Sequence, residues 1–191
     1  MKLNRDFYLR DGVVQIAKDL LGKKLVTCFT GETVSAIITE TEAYKGIVDR
    51  ASHSYGGRYT PCTKIMYQIG GTAYIYRCYG IHSLFNVVTN KEGIPDAVLI
   101  RAVQFSVPNP IVVARNQGKN ITKQTANGPG KLSVLLGIHS SQSGEDLLGN
   151  RIWIESTPLH PDEKSIITSP RIGISYAGED ALLPWRFIYK I

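Results

Sequence analysis

The sequence predicts an α+β fold, in which a single domain over residues 1–191 is built on a mainly antiparallel β-sheet. Short runs of β-branched and aromatic residues, separated by turn residues such as Gly and Asn, recur along most of the chain and are typical of strands joined by hairpins. Helical spacing of apolar residues is limited to a few short stretches. Of the 191 residues, 43% are hydrophobic and 20% are charged, so the chain can bury one substantial core.

The first predicted element is a helix. Apolar residues from Val13 to Leu21 recur at helical spacing, while Asp11 can cap the start of the helix and Gly22 can end it. We expect this helix to be scaffold.

A β-hairpin is predicted next, with strands over residues 24–29 and 33–41 around a turn at Thr30, Gly31 and Glu32. The second strand delivers Glu40 and Glu42. Because side chains two positions apart on a strand point to the same side of the sheet, these two carboxylates share a face.

The next segment predicts a glycine-containing loop that carries His53, followed by a short helix that starts at Thr60 and Pro61 and runs through Tyr67. Thr60 is a suitable N-cap, and proline is favoured in the first turn of a helix. Gly70 and Gly71 then break the helix.

Residues 72–79 form the clearest predicted strand, and it is rich in tyrosine. Strand alternation places Tyr74 and Tyr76 on one face, and Arg77 and Tyr79 on the other. Gly80 is expected to turn the chain immediately afterwards.

Two further strands, over residues 85–89 and 97–103, are predicted to pair across a turn at residues 90–93. This pairing would place Asn86 and Arg101 on neighbouring strands.

From residue 107 the pattern weakens. A Gly-Pro-Gly turn at residues 128–130 leads into a short apolar helix. The remaining predicted strands complete the sheet, with their two tryptophans in the core: residues 152–155, 171–176 and 185–189.

Reactive and aromatic side chains are concentrated in residues 37–101. Seven of the ten tyrosines lie there, together with the carboxylates of Glu40, Glu42 and Asp49 and the imidazole of His53. Such a mixture suits a pocket that stacks a flat ring and carries out water chemistry on it.

The charge distribution favours a polyanionic partner. The formal net charge is +6 and the sequence pI is about 9.2. No Asp or Glu occurs between residues 97 and 144, a stretch that holds several basic residues: Arg101, Arg115, Lys119, Lys123 and Lys131. Such a stretch suits a phosphate backbone, although a solvated surface explains the charge alone equally well.

The three cysteines are widely spaced and lack a Cys-x-x-Cys motif, which predicts a reducing compartment and no metal site. The N-terminus has no apolar signal core, and no long apolar run follows. We therefore expect a cytoplasmic protein with no membrane contact, associated with the nucleoid if it is bacterial.

A series of motifs in fixed order gives the chain a family resemblance: Glu-Thr-Glu-Ala-Tyr at 40–44, Ala-Ser-His-Ser at 51–54, Gly-Thr-Ala-Tyr-Ile-Tyr-Arg-Cys-Tyr-Gly-Ile at 71–81, Phe-Asn-Val at 85–87, Val-Leu-Ile-Arg-Ala at 98–102, Gly-Pro-Gly-Lys-Leu at 128–132 and Arg-Ile-Gly-Ile at 171–174. Together they resemble the 3-methyladenine (alkyladenine) DNA glycosylases of eukaryotes and many bacteria. The resemblance runs almost end to end. It departs from the usual family pattern at Cys62, Thr63 and Gly130.

The resemblance implies a curved sheet surrounded by helices, with a protruding β-hairpin. It also implies that Glu42 is the general base that activates a water and that Arg101 positions this water. From the residues alone, a buried Glu–Arg ion pair that serves only structure is an equal alternative.

Further roles are implied by the same matches. Tyr44, His53 and Tyr76 would hold the flipped base between aromatic faces, and Asn86 would screen its edge. Two groups would contact the DNA itself: Tyr79 and Ile81 by intercalation, and Lys64, Arg77 and Lys131, more weakly, at the backbone.

The implied function is a monofunctional glycosylase that acts as a monomer on double-stranded DNA with damaged purines, without cofactor or metal. The implied substrates are 3-methyladenine and 7-methylguanine, with hypoxanthine and ethenoadenine as further candidates. Two alternatives stay open: a non-enzymatic protein that binds damaged DNA, and a nucleoside hydrolase.

Overall fold

The computed structural model describes residues 1–29, 31–106 and 109–191. It confirms the α+β class: the protein is built on one open, antiparallel sheet of eight strands, with few helices. The extent of the domain, residues 1–191, stays a prediction. Thr30 in the predicted first turn, and residues 107–108 where the sequence pattern weakens, lie outside the described residues.

The strands of the sheet follow the order β3-β4-β5-β2-β1-β6, and β8 pairs with both β2 and β7. Their bounds are β1 Lys24–Phe29, β2 Glu32–Tyr44, β3 Ala73–Cys78, β4 His82–Thr89, β5 Asp96–Gln104, β6 Ile152–Glu155, β7 Ile166–Ser169 and β8 Arg186–Tyr189. The sequence analysis predicted these strands approximately, except for β7.

The α-helices are short: α1 Arg5–Leu9, α2 Val13–Asp19, α3 Pro110–Arg115 and α4 Pro129–Leu136. One-turn and two-turn 3₁₀ helices lie between them and the strands: Tyr55–Gly57, Thr63–Tyr67, Ser140–Gln142, Glu163–Ser165 and Ser175–Leu182.

Helix α2 confirms the first predicted helix but corrects its cap. The N-cap is Gly12, whose φ of 90° lies in the left-handed region, and no side chain caps the helix. Asp11 therefore does not cap it, because the left-handed turn at Gly12 separates Asp11 from the first helical residue.

Strand β2 is the centre of the sheet. Along one edge its first half pairs with β1, as the predicted hairpin requires, and Glu40, Thr41 and Glu42 pair with β8. The other edge pairs with β5, and the register shifts between Ile38 and Thr41. Such bulges redirect side chains, and here they flank Glu40, two residues before Glu42.

The hydrophobic core forms where α2 and α4 pack against the sheet, α2 on β2 and β5, and α4 on β4 and β5. The hydroxyl of Thr41 donates to the Ala17 carbonyl at 2.8 Å, which fixes β2 to α2. Trp185 packs against this core. Trp153 does not reach it: its indole N–H donates to Glu155, and Lys2 lies over its ring.

The predicted strand over residues 171–176 is wrong. This segment is a turn that leads into the 3₁₀ helix Ser175–Leu182, and Gly173 within it has a φ of 78°. Of the apolar side chains in this segment, Ile174 is buried while Ile172 and Tyr176 are exposed, and the preceding Arg171 is buried in an ion pair. None of the helices in the described residues is long and apolar enough to cross a membrane.

Candidate active site

A cavity of about 350 Å³ lies against the sheet and is lined in part by residues of β2, β3, β4 and β5. Its walls come from the last residue of β2, the loop that follows β2, three strands and the turn before the last 3₁₀ helix. Its aromatic and polar lining includes Tyr44, His53, Tyr74, Tyr76, Asn86 and Arg101. Aromatic faces with a few polar groups are the usual lining of a small-molecule site of this size.

Glu42 lies beneath the floor of this cavity and is fully buried. Three donors contact its carboxylate: the Tyr44 hydroxyl at 2.8 Å and Arg101 Nη1 at 3.4 Å reach Oε2, and the backbone N–H of Ile172 reaches Oε1 at 2.8 Å. All three donors belong to residues that line the cavity. Burial raises the pKa of Glu42, whereas Arg101 and the two hydrogen bonds act in the opposite direction.

Arg101 contacts both Glu40 and Glu42 on β2. Its Nε donates to Glu40 Oε1 at 3.0 Å, and Arg186 Nε donates to the same oxygen at 2.6 Å. Glu40 is itself almost fully buried. The sequence placed Glu40 on the same face as Glu42, and the structure gives it the contact that fixes Arg101 at the cavity.

His53 is brought to the cavity by the loop that follows β2. Its Nδ1 lies 2.8 Å from the Tyr74 hydroxyl, and its ring centroid lies 4.5 Å from that of Tyr76. Burial, followed by the positive charge of Arg58, lowers the pKa of His53, which favours a neutral imidazole. Tyr74 is a core residue, as expected, and it also orients His53.

Tyr44 also lines the cavity, and the cationic side chain of Arg171, which does not line it, lies over the Tyr44 ring. The Arg171 guanidinium is 4.8 Å from the Tyr44 centroid and 5.2 Å from that of Trp185. It forms two hydrogen bonds with Asp49, at 2.5 and 2.9 Å. The sequence analysis assigned no role to Arg171, and the only local signal was its place in the motif at residues 171–174.

Asn86 lies on β4 with its side chain almost fully buried. Its amide nitrogen donates to the backbone carbonyls of Tyr74 and Leu84, both at 3.2 Å. These two bonds fix the orientation of the amide where it borders the cavity. Asn86 and Arg101 lie on paired strands, as predicted.

The β3–β4 hairpin projects its tip into solvent, where Tyr79 is 91% and Ile81 is 76% exposed. Tyr79 and Gly80 both have positive φ, 51° and 72°, the pattern of a tight type I′ turn. Strand β3 ends at Cys78, so the predicted alternation does not extend to Tyr79. Tyr79 borders the same cavity as Tyr76 and is not on the opposite face.

The three predicted backbone contacts, Lys64, Arg77 and Lys131, are exposed and lie outside the cavity. Lys131 lies in the first turn of α4. The departure at Gly130 has a local explanation, because a Cβ there would lie 2.9 Å from the His82 ring. Among the described residues, no group of three or more His, Cys, Asp or Glu could hold a metal ion.

Comparison with known proteins gives a consistent result. The sequence model of the methylpurine-DNA glycosylase family matches residues 6–191. A protein of Desulfitobacterium hafniense is 44% identical over 97% of this chain and 94% of its own length. One of Chlamydia felis is 44% identical over 99% and 96%, and one of Bacillus cereus is 43% identical over 100% and 96%.

Each of these three relatives is provisionally named a 3-methyladenine DNA glycosylase. The family match covers nearly the whole chain, and the relatives agree with it over a similar extent. The chain therefore belongs to the methylpurine-DNA glycosylase family.

Proposed function

We propose that the protein flips a damaged purine out of double-stranded DNA into the cavity and hydrolyses its N-glycosidic bond with a water activated by Glu42. The family assignment supports the DNA glycosylase activity. The observation that carries the mechanism is a fully buried carboxylate whose three donors all line an aromatic cavity.

The carboxylate of Glu42 can accept the proton of one water. An ionised carboxylate has about four acceptor positions, and three are occupied by Tyr44, Arg101 and Ile172. We propose that the fourth, which is closed to solvent in the protein alone, takes the attacking water when the nucleotide enters the cavity. As the water oxygen bonds to C1′ of the sugar, its proton passes to Glu42 and the C1′–N bond breaks with its electron pair going to the purine.

Arg101 has two roles in this proposal. Its positive charge lowers the pKa of Glu42 and so favours the ionised form, and its guanidinium at the cavity can orient the water. The negative charge of Glu42 also stabilises the oxocarbenium-like sugar that forms as the bond breaks. An ion pair that served structure alone would not need to border a cavity.

The aromatic residues divide into two walls. His53 and Tyr76 are in edge contact, with centroids 4.5 Å apart, whereas a stacked purine needs about 7 Å between the two flanking rings. The base therefore stacks between Tyr44 on one side and the His53–Tyr76 pair on the other. Aromatic faces attract a cationic ring more strongly than a neutral one.

The substrates that fit this site are methylated purines such as 3-methyladenine and 7-methylguanine, which carry positive charge and leave readily as neutral bases. Asn86, with its amide fixed, would screen the purine edge and discriminate against normal bases. Hypoxanthine and ethenoadenine are further substrates in this proposal.

The hairpin tip would occupy the space that the flipped base leaves in the duplex. Tyr79 is almost fully exposed and borders the cavity, so it can fill the helix next to the flipped nucleotide, assisted by Ile81. Lys64, Arg77 and Lys131 would contact the DNA backbone. This exposed tip favours DNA over a free nucleoside as the substrate.

The product would be an abasic site with the strand intact. A glycosylase that cleaves the strand uses an amine to form a Schiff base, and no lysine lines the cavity in the described part of the chain. We propose that the protein acts as a monomer and needs neither cofactor nor metal.

The test is single-turnover incubation with duplexes that contain 7-methylguanine or hypoxanthine, followed by alkali to cleave abasic sites. We expect strand cleavage only after alkali treatment. Glu42→Gln should retain DNA binding and lose excision by several powers of ten, whereas Glu92→Gln, an exposed turn residue, should behave like the wild type. Full turnover by Glu42→Gln would exclude Glu42 as the base.

A further inference from the structure

We propose that the buried ion pair of Arg171 and Asp49 positions the Tyr44 wall and sets the preference between cationic and neutral purines. This inference rests on the proposed function. Neither residue touches the substrate in this arrangement. Both act through Tyr44, Glu42 and His53.

The geometry around Arg171 leaves its side chain little freedom. Its guanidinium lies between the Tyr44 and Trp185 rings and is fully buried. Besides Asp49, it donates to the backbone carbonyls of Ala43 and Asp180, at 2.9 and 3.0 Å. A planar cation with these contacts fixes the back of the Tyr44 ring at a set position and tilt.

Asp49 connects this wall to the loop that carries His53. One of its oxygens accepts from the backbone N–H of Lys45 and the other from that of Ala51. The loop is thereby ordered up to two residues before His53. A single ion pair thus joins the two aromatic walls between which the base would stack.

The same pair also reaches the general base. Arg171 immediately precedes Ile172, whose backbone N–H donates to Glu42. The segment that closes over Glu42 is therefore held in place by the Arg171 side chain. Movement of this side chain would disturb stacking and water activation together.

The charges of the pair determine what the Tyr44 ring can stack against. A guanidinium behind the ring would repel a cationic purine in front of it, but the carboxylate of Asp49 contacts that guanidinium with both oxygens. The pair is neutral overall. Loss of either partner leaves one full charge about 8 Å from the base, close enough to change relative rates on the order of tenfold.

The experiment compares single-turnover excision of 7-methylguanine, which is cationic, with that of hypoxanthine, which is neutral. Asp49→Asn leaves a bare guanidinium and should lower the 7-methylguanine to hypoxanthine ratio about tenfold. Arg171→Gln leaves a bare carboxylate and should raise the same ratio. Arg171→Lys keeps the charge but not the planar fork, so both rates should fall with little change in their ratio.

Arg10→Lys is the matched control, since Arg10 also pairs with an aspartate, Asp19, and lies over the Phe7 ring at 4.5 Å, outside the cavity. Its rates should equal those of the wild type. Because breaking a buried pair destabilises a protein, all assays are run well below the melting temperature of each variant. If either Asp49→Asn or Arg171→Gln does not fold, the other variant still tests the proposal, because each is expected to change the 7-methylguanine to hypoxanthine ratio in a stated direction.

If the 7-methylguanine to hypoxanthine ratio of the folded Asp49→Asn and Arg171→Gln variants stays within twofold of the wild type, the charge of the pair does not set the substrate preference. If both excision rates are unchanged in Arg171→Lys, the pair does not position Tyr44. Absence of excision by the wild-type protein would instead contradict the proposed function.

Discussion

Three donors converge on the Glu42 carboxylate, and their balance against burial decides its protonation. Burial has the largest effect and raises the pKa. Arg101, the Ile172 N–H and the Tyr44 hydroxyl favour the charged form and lower the pKa. A general base must be ionised, so the excision rate should fall as the pH is lowered through this raised pKa.

Tyr44→Phe tests this balance. The variant keeps the aromatic ring but loses the hydroxyl that donates to Glu42, so the pKa of Glu42 should rise further. The acidic limb of the excision rate, measured under single turnover as a function of pH, should therefore move to higher pH.

Tyr176→Phe is the control for this prediction, because Tyr176 also lines the cavity but its hydroxyl donates to the Ala51 carbonyl. Tyr176→Phe should not shift the acidic limb of the pH–rate profile. A limb that moved to lower pH in Tyr44→Phe would contradict the assignment of Glu42 as the titrating base.

At the scale of elements, the β3–β4 hairpin combines a fixed turn with an exposed tip. The turn places Tyr79 in the left-handed region, which is uncommon for a residue other than glycine. Its ring makes little contact with the rest of the protein. A conformation of this kind is typical of residues that contact a ligand.

Tyr79→Ala should lower excision of hypoxanthine on the order of tenfold or more, because nothing would replace the flipped base in the duplex. The melting temperature should hardly change, since the side chain is 91% exposed. Single-turnover kinetics and thermal unfolding measure the two effects. Tyr79→Phe should keep most of the wild-type excision rate. Equal excision rates for Tyr79→Ala and the wild type would contradict intercalation by Tyr79.

The elements differ in how far the sequence could predict them. Runs of β-branched and aromatic residues between turn residues identify β1 to β6, because this local signal holds even for β4 and β5, which are buried on both faces over most of their length. Residues 171–176 contain similar residue types but form no strand, and Arg171 is buried there against a partner 122 positions away. A long-range ion pair leaves no signal in local spacing.

The same distinction applies to the candidate site. Motifs identified Glu42, Tyr44, His53, Tyr76 and Arg101, and the structure brings them together at one cavity and its floor. Spacing alone could not reveal that Asp49 and Arg171 support them. Their contacts exist only after the loop, β2 and the last 3₁₀ helix have come together.

At the scale of the whole molecule, the positive charge is unevenly distributed. Residues 97–144 contain no acidic side chain, and α3 and α4 belong to this stretch. Lys119, Lys131 and His82 border a second cavity of about 360 Å³ beside α4. This surface is suited to the phosphates that flank a bound lesion.

Lys131→Gln should weaken binding to undamaged duplexes of any sequence and reduce the slope of log K against log salt by about 0.9. Fluorescence anisotropy over a range of salt concentrations measures this slope. Lys24→Gln is the control, because Lys24 is paired with Glu155 and should not change the slope. An unchanged slope in Lys131→Gln would exclude a phosphate contact by Lys131.

The side-chain and backbone partners of Glu40 and Glu42 come from later parts of the chain, and this order has a consequence for the synthesis of the protein. Glu40 and Glu42 leave the ribosome early, but Arg101, Ile172 and Arg186, which complete their surroundings, leave it much later. The surroundings of Glu40 and Glu42 therefore cannot form until nearly all of the chain has been synthesised. A nascent chain that ended before Arg101 would hold both buried glutamates without their cationic partners.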